Sequence, residues 1–193
     1  MSIIIRSLQK SFGNRMVFDD FSYEFKDRGI YIIEGESGVG KTTLLRIIAG
    51  LDNDYSGEVL GCGTGKCAMM FQEYRLFPTI SALDNVMLAN RHGVIEDARH
   101  LLHRLGLTDE DILLLPDELS GGMKQRVSFA RSVFSKMPII LLDEPTKELD
   151  SGTAMLMLNM INELGNNHCI IMVSHQDCSD ILTQAEHIMI NLP

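Results

Sequence analysis

The sequence lacks any apolar run close to the roughly 20 residues that a membrane-spanning helix requires. Its apolar start, Ile3-Ile4-Ile5, is interrupted at Arg6, which is too early for a signal peptide. No internal repeat, low-complexity tract or linker stands out in the 193 residues, a length typical of one domain. We therefore expect a single cytoplasmic domain at 1–193, for which any role at a membrane depends on a partner.

Cysteine and basic residues are both scarce. The four cysteines form no Cys-x-x-Cys pair, which argues against a zinc site, and in the cytosol we expect free thiols in place of a Cys62–Cys67 disulfide. Lys and Arg number 17 against 26 Asp and Glu, for a net charge of −9. A protein that binds a phosphate backbone needs a basic face, so we expect no nucleic-acid partner, although a local basic patch stays open.

A glycine-rich loop carries the first functional signal. An apolar, β-branched segment at 30–34 predicts a buried strand before it, and a segment of helical spacing at 44–49 follows it and stops at Gly50. Strand, loop and helix are the context that the phosphate-binding pattern G-x-x-x-x-G-K-[ST] requires. Fewer than about 1% of chains of this length would match its fixed positions by chance. The loop comprises Gly35, Glu36, Ser37, Gly38, Val39, Gly40, Lys41, Thr42 and Thr43.

This loop predicts nucleotide binding for geometric reasons. Glycines allow successive backbone N–H groups to point at one anion, and the positive end of the following helix is directed at the same place. Lys41 adds a full charge for the β- and γ-phosphates. The Thr42 hydroxyl is a candidate ligand for Mg²⁺.

The remaining pattern predicts an α/β fold of the P-loop NTPase type. Strands alternate with helices, which indicates a mostly parallel sheet, with an antiparallel β portion near the N-terminus. We expect an α/β core at 1–72 and 138–193, and a helical lobe inserted at 73–137. The predicted strands are 3–8, 21–25, 30–34, 58–60, 66–71, 139–142, 169–173 and 188–190, with a turn at 10–14. Helices are predicted to begin at Ser81 and Ser151, and two further helices have apolar faces that include Ile95 and Met123.

Two acidic residues, Asp143 and Glu144, directly follow the continuously apolar segment at 139–142. Ligands of open α/β sheets bind at the carboxyl ends of strands. An aspartate there helps to hold the Mg²⁺ of a nucleotide, and a second carboxylate polarises an attacking water. The alternative is a solvated acidic turn before Pro145, which the upstream phosphate loop disfavours.

A hydroxyl and two glycines, Ser120-Gly121-Gly122, begin the last helix of the predicted lobe. Such a start forms a second anion cradle, although an ordinary serine cap is the commoner explanation. A second cradle in a separate lobe suggests that it serves the nucleotide of another copy. Two chains arranged head to tail would then enclose two ATP molecules.

The segment at 119–126, Leu-Ser-Gly-Gly-Met-Lys-Gln-Arg, resembles the signature of the ATP-binding cassette (ABC) ATPases, the nucleotide-binding subunits of ABC transporters. The resemblance is collinear across nearly the whole chain. It implies catalytic roles for Glu144, His175, Lys41 and Gln72; Mg²⁺ ligation by Thr42, Gln72 and Asp143; contact with the partner's ATP by Ser120, Gly121, Gly122 and Gln125; a dimer loop at Asp150; and an adenine contact at Phe12, for which a core position is the alternative.

The resemblance also implies partners and a reaction. We expect hydrolysis of ATP with Mg²⁺ in a homodimer or pseudo-dimer, at the cytoplasmic face of a membrane, coupled to integral membrane permease subunits that contact 72–78. An extracytoplasmic binding protein is a further partner that the resemblance allows. The segment at 71–78 resembles the nitrate, sulfonate and taurine importers. Open alternatives are a lipoprotein-release or efflux ATPase, a soluble ABC ATPase of DNA repair or translation, and a module that does not hydrolyse ATP.

One segment departs from the family pattern. The residues before Asp150 are Lys147-Glu148-Leu149, where ABC ATPases usually have small residues before Leu-Asp. This departure puts the geometry of the loop in question, but not the aspartate.

Overall fold

Two β-sheets and five α-helices organise the described part of the chain, residues 2–175, 178 and 180–190 of a computed structural model. The strands are β1 (Ile3–Phe12), β2 (Arg15–Phe25), β3 (Gly29–Glu34), β4 (Ser56–Leu60), β5 (Cys67–Met70), β6 (Ile139–Asp143), β7 (Cys169–Val173) and β8 (Glu186–Met189). The helices are α1 (Lys41–Ile48), α2 (Ala82–Met87), α3 (Ile95–Arg104), α4 (Gly121–Phe134) and α5 (Ser151–Gly165).

The larger sheet is parallel, in the order β5-β6-β7-β3-β8. Its central strands β3, β6 and β7 are apolar in nearly every position because helices or the second sheet cover both faces. Since all five strands run in the same direction, their carboxyl ends meet at one edge. The phosphate loop after β3, the acidic pair at the end of β6 and His175 after β7 therefore lie along the same edge.

Alternation along these strands divides the hydrophobic core in two. Ile32 of β3 and Met172 of β7 belong to the cluster that contains the helices of the 82–134 segment and α5. Ile33 and Val173, one position further along each strand, belong to the cluster that contains α1 and the antiparallel sheet. Successive side chains point to opposite faces of a strand, so each central strand contributes to both cores.

The antiparallel sheet has the order β2-β1-β4. Strand β1 continues to Phe12, and β2 begins at Arg15. The predicted turn at 10–14 was therefore wrong for residues 10–12 and correct only for Gly13 and Asn14. The ladder shifts register at three places, and Ser7 and Asp20 adopt positive φ angles. Such bulges interrupt the two-residue alternation from which strands are predicted, which explains why this part of the hairpin was missed.

Helices α2, α3 and α4 occupy the segment predicted as a helical lobe. The Ser81 hydroxyl accepts from the Asp84 N–H at 3.1 Å and caps α2 as predicted. Helix α3 buries Ala98 and Leu102, and Gly106 follows its C-cap with a φ of 76°. Within the ranges that the structure describes, no helix combines the length and apolar character needed to cross a membrane.

Candidate active site

A cleft at the carboxyl edge of the parallel sheet brings five segments together. It unites the phosphate loop, the start of α1, the segment after β5 and the residues that follow β6 and β7. Its lining consists of Ser37, Gly38, Gly40, Lys41, Thr42, Thr43, Gln72, Glu144, Val173 and His175.

The conformation of the phosphate loop requires glycine at positions 35 and 40, because a side chain at either position would force neighbouring atoms to move. Gly40 has a φ of 111°, and a Cβ there would lie 2.2 Å from Cγ1 of Val17. Gly35 has a φ of 146°, and a Cβ there would lie 2.4 Å from the carbonyl oxygen of Ile190. Gly40 is also the N-cap of α1 and brings no side chain to the first turn. The first N–H groups of the helix can therefore be directed at a phosphate.

Lys41 is a buried cation in this loop, with 5% of its surface exposed. Its ammonium donates to the carbonyl oxygens of Gly35 at 2.7 Å and Glu36 at 2.8 Å. Burial lowers the pKa of Lys41, whereas the nearby carboxylates of Glu144 and Asp143 oppose that change. The ammonium group of Lys41, at the start of α1, is thus hydrogen-bonded to the backbone at the beginning of the phosphate loop.

Asp143 is the buried carboxylate of the site, with 2% of its surface exposed. The Thr42 hydroxyl hydrogen-bonds to it, and burial raises the pKa of its carboxyl group, an effect that Thr42 and Lys41 oppose. Among the described residues, its Oδ1 atom has no hydrogen-bond partner. A buried carboxylate oxygen next to a hydroxyl is a ligand set suited to a hard cation such as Mg²⁺.

The ligand set of Thr42 and Asp143 suits Mg²⁺ better than it suits a metal ion that is coordinated only by protein side chains. In the described ranges, no group of three or more His, Cys, Asp or Glu residues could hold a metal ion. Mg²⁺ is usually bound by one or two protein ligands together with water and phosphate oxygens. The structure thus brings Thr42 and Asp143 into contact and places Gln72 on the lining of the same cleft.

Glu144 adopts an unusual backbone conformation, with a φ of 52°. Its N–H donates to the carbonyl oxygen of Val173 at 3.0 Å, which joins the ends of β6 and β7. Its Oε1 lies 3.6 Å from Nε2 of His175, and its Oε2 lies 3.6 Å from Nζ of Lys147. A positive φ at a residue other than glycine costs about 1–3 kcal/mol and is found often at functional sites.

The buried side chain of Gln125 stabilises this backbone conformation of Glu144. Its side chain is 2% exposed, and its Nε2 donates to the carbonyl oxygens of Glu144 at 2.9 Å and Pro145 at 3.0 Å. The resemblance assigned Gln125 to a partner's ATP. The structure instead places it behind the acidic loop of its own chain, a contact that the local sequence pattern does not reveal.

Arg15 is a second contact that sequence reasoning missed. Its Nη2 donates to the carbonyl oxygen of Gly38 at 2.9 Å, so the tip of the β1–β2 hairpin is attached to the phosphate loop. Phe12 pairs with Arg15 across this hairpin and is 54% exposed, not part of the core. The Nζ of Lys10 lies 4.8 Å from the centre of the Phe12 ring. The ring is therefore accessible beside the phosphate loop, and its contact with adenine stays a prediction.

The predicted signature residues lie away from this cleft. Among the described residues that line it, none comes from Ser120, Gly121 or Gly122. The Ser120 hydroxyl accepts from the Met123 N–H at 3.2 Å and caps α4, while the side chain of Ser120 is exposed. Asp150 is likewise exposed and caps α5, accepting from the Thr153 N–H at 3.0 Å.

A family model described as "ABC transporter" matches residues 18–147, which include the phosphate loop, the signature and the acidic pair. The chain belongs to this family. Two curated relatives are the aliphatic sulfonates import ATP-binding proteins SsuB 2 of Pseudomonas fluorescens and of Paraburkholderia xenovorans. The first is 35% identical over 97% of this chain and 72% of its own length. The second is 34% identical over 98% and 76%.

Solved structures agree with the assignment. The dimeric structure of MJ0796, a bacterial ABC transporter cassette, superposes with a TM-score of 0.84 and 26% identity over 97% of this chain and 94% of the cassette. A post-hydrolysis state of the same cassette bound to ADP and Pi gives the same TM-score and identity. The P-loop NTPase fold with a mostly parallel sheet is confirmed. This ABC protein is an ATPase that uses ATP and Mg²⁺.

Proposed function

We propose that this ABC ATPase is the energy-coupling subunit of an importer, in which ATP hydrolysis drives a separate membrane permease. One observation carries the proposal. The phosphate loop, Glu144 and His175 meet in one cleft, and Asp143 is hydrogen-bonded to Thr42 of that loop, while the signature residues needed to complete an ABC site are not among the described residues that line the cleft. Each chain then contributes its phosphate loop to one ATP site and its signature residues to the other.

The reaction follows from the placement of the side chains. Lys41 and the loop N–H groups hold the phosphates, and Thr42, Asp143 and Gln72 hold Mg²⁺, which supplies positive charge to the phosphate oxygens. Glu144 lies beside His175 at the cleft and orients the attacking water. Catalysis here consists mainly of positioning and charge stabilisation.

The second half of each site comes from a partner copy in this proposal. Ser120 and Gly122 begin α4, a helix of 14 residues whose positive end is available to the γ-phosphate of the partner's ATP. Asp150 lies in the segment before α5 and serves as the dimer contact. The MJ0796 cassette, which shares this fold, is known as a dimer, which supports the arrangement.

An exposed apolar surface supports docking to a permease. Phe77 is 56% exposed, yet its backbone N–H donates to the buried Asn85 side chain at 2.8 Å. Leu113 and Leu115 are also exposed, on the segment that accepts the Ala82 N–H at Leu114. Both segments are thus hydrogen-bonded to the same helix, α2, and exposed apolar patches mark interaction sites. We place this surface against the permease at the cytoplasmic face.

The names of the relatives favour import. Both curated relatives are aliphatic sulfonates import ATP-binding proteins, and this chain matches nearly its full length to each. We therefore propose an importer over an efflux or lipoprotein-release system. The permease, with any extracytoplasmic binding protein, selects the cargo.

Co-purification tests the permease proposal. We expect a tagged chain, extracted from its native membranes in mild detergent, to recover an integral membrane permease, and Phe77→Asp to recover at least about 10-fold less because a buried charge opposes an apolar contact. Leu51→Asp is the matched control, since Leu51 is comparably exposed and lies after α1. ATP hydrolysis by the isolated chain should be unchanged in both variants. Recovery of DNA or ribosomes without a membrane protein would contradict the proposal.

A further inference from the structure

The segment that departs from the family pattern contacts the start of the signature helix. Glu148 lies two residues before Asp150 and has a φ of 65°, a conformation that residues other than glycine rarely adopt. A Cβ placed on Gly121 would lie 2.9 Å from Oε2 of Glu148. The carboxylate therefore lies directly against the first residue of α4.

Tyr74, from the segment after Gln72, completes this contact. Its hydroxyl donates to Oε2 of Glu148 at 2.5 Å, and it lies 3.2 Å from the same Cβ position on Gly121. The hydrogen bond with Glu148, with a further contribution from burial, raises the pKa of Tyr74 to about 12. The hydroxyl and the carboxylate therefore form one hydrogen-bonded pair against the start of α4.

The backbone around Tyr74 is attached to the same helix by a second set of bonds. Arg131 of α4 donates from Nη2 to the carbonyl oxygen of Tyr74 at 3.0 Å and from Nη1 to that of Arg75 at 2.7 Å. The Arg75 guanidinium in turn lies 3.7 Å from the centre of the Phe71 ring. Helix α4 is therefore joined to the Gln72 segment in its last turn by Arg131, and its first residue packs against the Tyr74–Glu148 pair.

We propose that Tyr74 and Glu148 are positioning residues for ATP hydrolysis, and that their hydrogen bond fixes the start of α4 relative to the Gln72 segment and the dimer loop. The inference rests on the proposed shared site, in which Ser120 and Gly122 act on the partner's ATP. The bond joins the segment that we place at the permease to the segment before Asp150, and both partners lie against Gly121, between the two signature residues Ser120 and Gly122. Neither side chain lines the cleft of its own chain, among the residues described there.

Because the Tyr74–Glu148 bond lies outside the cleft of its own chain, its loss is expected to change kcat and not the Kd for ATP. Loss of the bond lets the signature residues move relative to the partner's γ-phosphate, while the phosphate loop that binds ATP in the same chain is left intact. We expect Tyr74→Phe to lower kcat about 3- to 10-fold, the range for loss of one hydrogen bond, with the Kd of the isolated chain for ATP unchanged. Glu148→Ala should do the same, and Glu148→Gln, which retains an acceptor oxygen, should recover most of the parental kcat.

A double-mutant cycle and a matched tyrosine separate positioning from a general loss of structure. The double variant Tyr74→Phe/Glu148→Ala should be no slower than the slower single variant, because both changes remove the same bond. Tyr23→Phe is the control, since the Tyr23 hydroxyl donates to Glu186 at the far edge of the parallel sheet. Its kcat should equal the parental value.

The outcomes distinguish this inference from the proposal on which it rests. If the parental chain hydrolyses ATP and its rate rises steeply with protein concentration, the shared site holds. An unchanged kcat in Tyr74→Phe, or additive losses in the double variant, would then overturn the positioning role alone. A parental rate per chain that is independent of concentration down to the monomer would overturn the shared site itself.

Discussion

Replacing Glu144 with glutamine is expected to lower ATP turnover by about 100- to 10,000-fold, the range for removal of a general base. The amide has the size of the carboxylate but cannot accept a proton from the attacking water. Lys41, Thr42 and Asp143 are untouched, so the Kd for ATP should stay within a few-fold of the parental value. Steady-state hydrolysis and equilibrium ATP binding measure the two effects separately.

If two copies share their ATP sites as proposed, the same variant should accumulate as an ATP-bound dimer, because hydrolysis is then the step that releases the two copies. Size-exclusion chromatography with ATP and Mg²⁺ would show this directly. Glu110→Gln is the matched control, since Glu110 is an exposed carboxylate in the helical segment, and its turnover should equal the parental value. Parental turnover in Glu144→Gln would remove Glu144 from its catalytic role.

Replacing Lys41 with methionine is expected to weaken ATP binding by about 100-fold. The ammonium is buried in the predicted phosphate loop, and hydrogen bonds to charged groups contribute about 1.5–3 kcal/mol each. Methionine fills a similar volume and cannot donate to the carbonyl oxygens of Gly35 and Glu36 or to a phosphate. Titration with a fluorescent ATP analogue, and competition with ATP, measure the loss.

The control for this variant is Lys66→Met, because Lys66 is an exposed lysine in the turn before β5. It should bind ATP with the parental Kd. Thermal unfolding without nucleotide checks that Lys41→Met is folded, and we expect a Tm close to the parental value because the variant also removes a buried charge. Tight ATP binding by a folded Lys41→Met chain would contradict the assignment of the phosphate site.

The sequence predicted the parallel core well because its signals are local. Strands β3, β6 and β7 are short, apolar and buried on both faces, so each is visible without knowledge of its neighbours. The β1–β2 hairpin was predicted less well, since bulges such as that near Ser7 depend on how β1 pairs with β2 and with the more distant β4. Strand order within the sheet also depends on long-range packing, which no local pattern encodes.

The residues of the site also differ in how well the sequence predicts them. Lys41, Thr42, Asp143 and Glu144 lie in motifs whose spacing is fixed within a few residues, and the order of the elements places them at one edge. Other contacts join residues that are distant in the sequence and unremarkable in their local pattern. These are Arg15 with Gly38, Gln125 with Glu144, and Tyr74 with Glu148.

Mixed dimers test the central claim, that each site is shared between two copies. We would combine Lys41→Met with Ser120→Asp, a change that keeps a capping side chain at α4 but places a negative charge toward the partner's phosphate. Differently tagged chains, purified over both tags, give dimers with the two changes in opposite chains or together in one chain. The total ATPase activity of each dimer is the measurement.

A shared site predicts that the two dimers behave in opposite ways. With the changes in opposite chains, one site retains both an intact Lys41 and an intact Ser120, so activity should remain. With both changes in one chain, each site has one damaged half, so activity should be lost. Activity in the second dimer and none in the first would show that each chain uses its own Ser120, and would contradict the account.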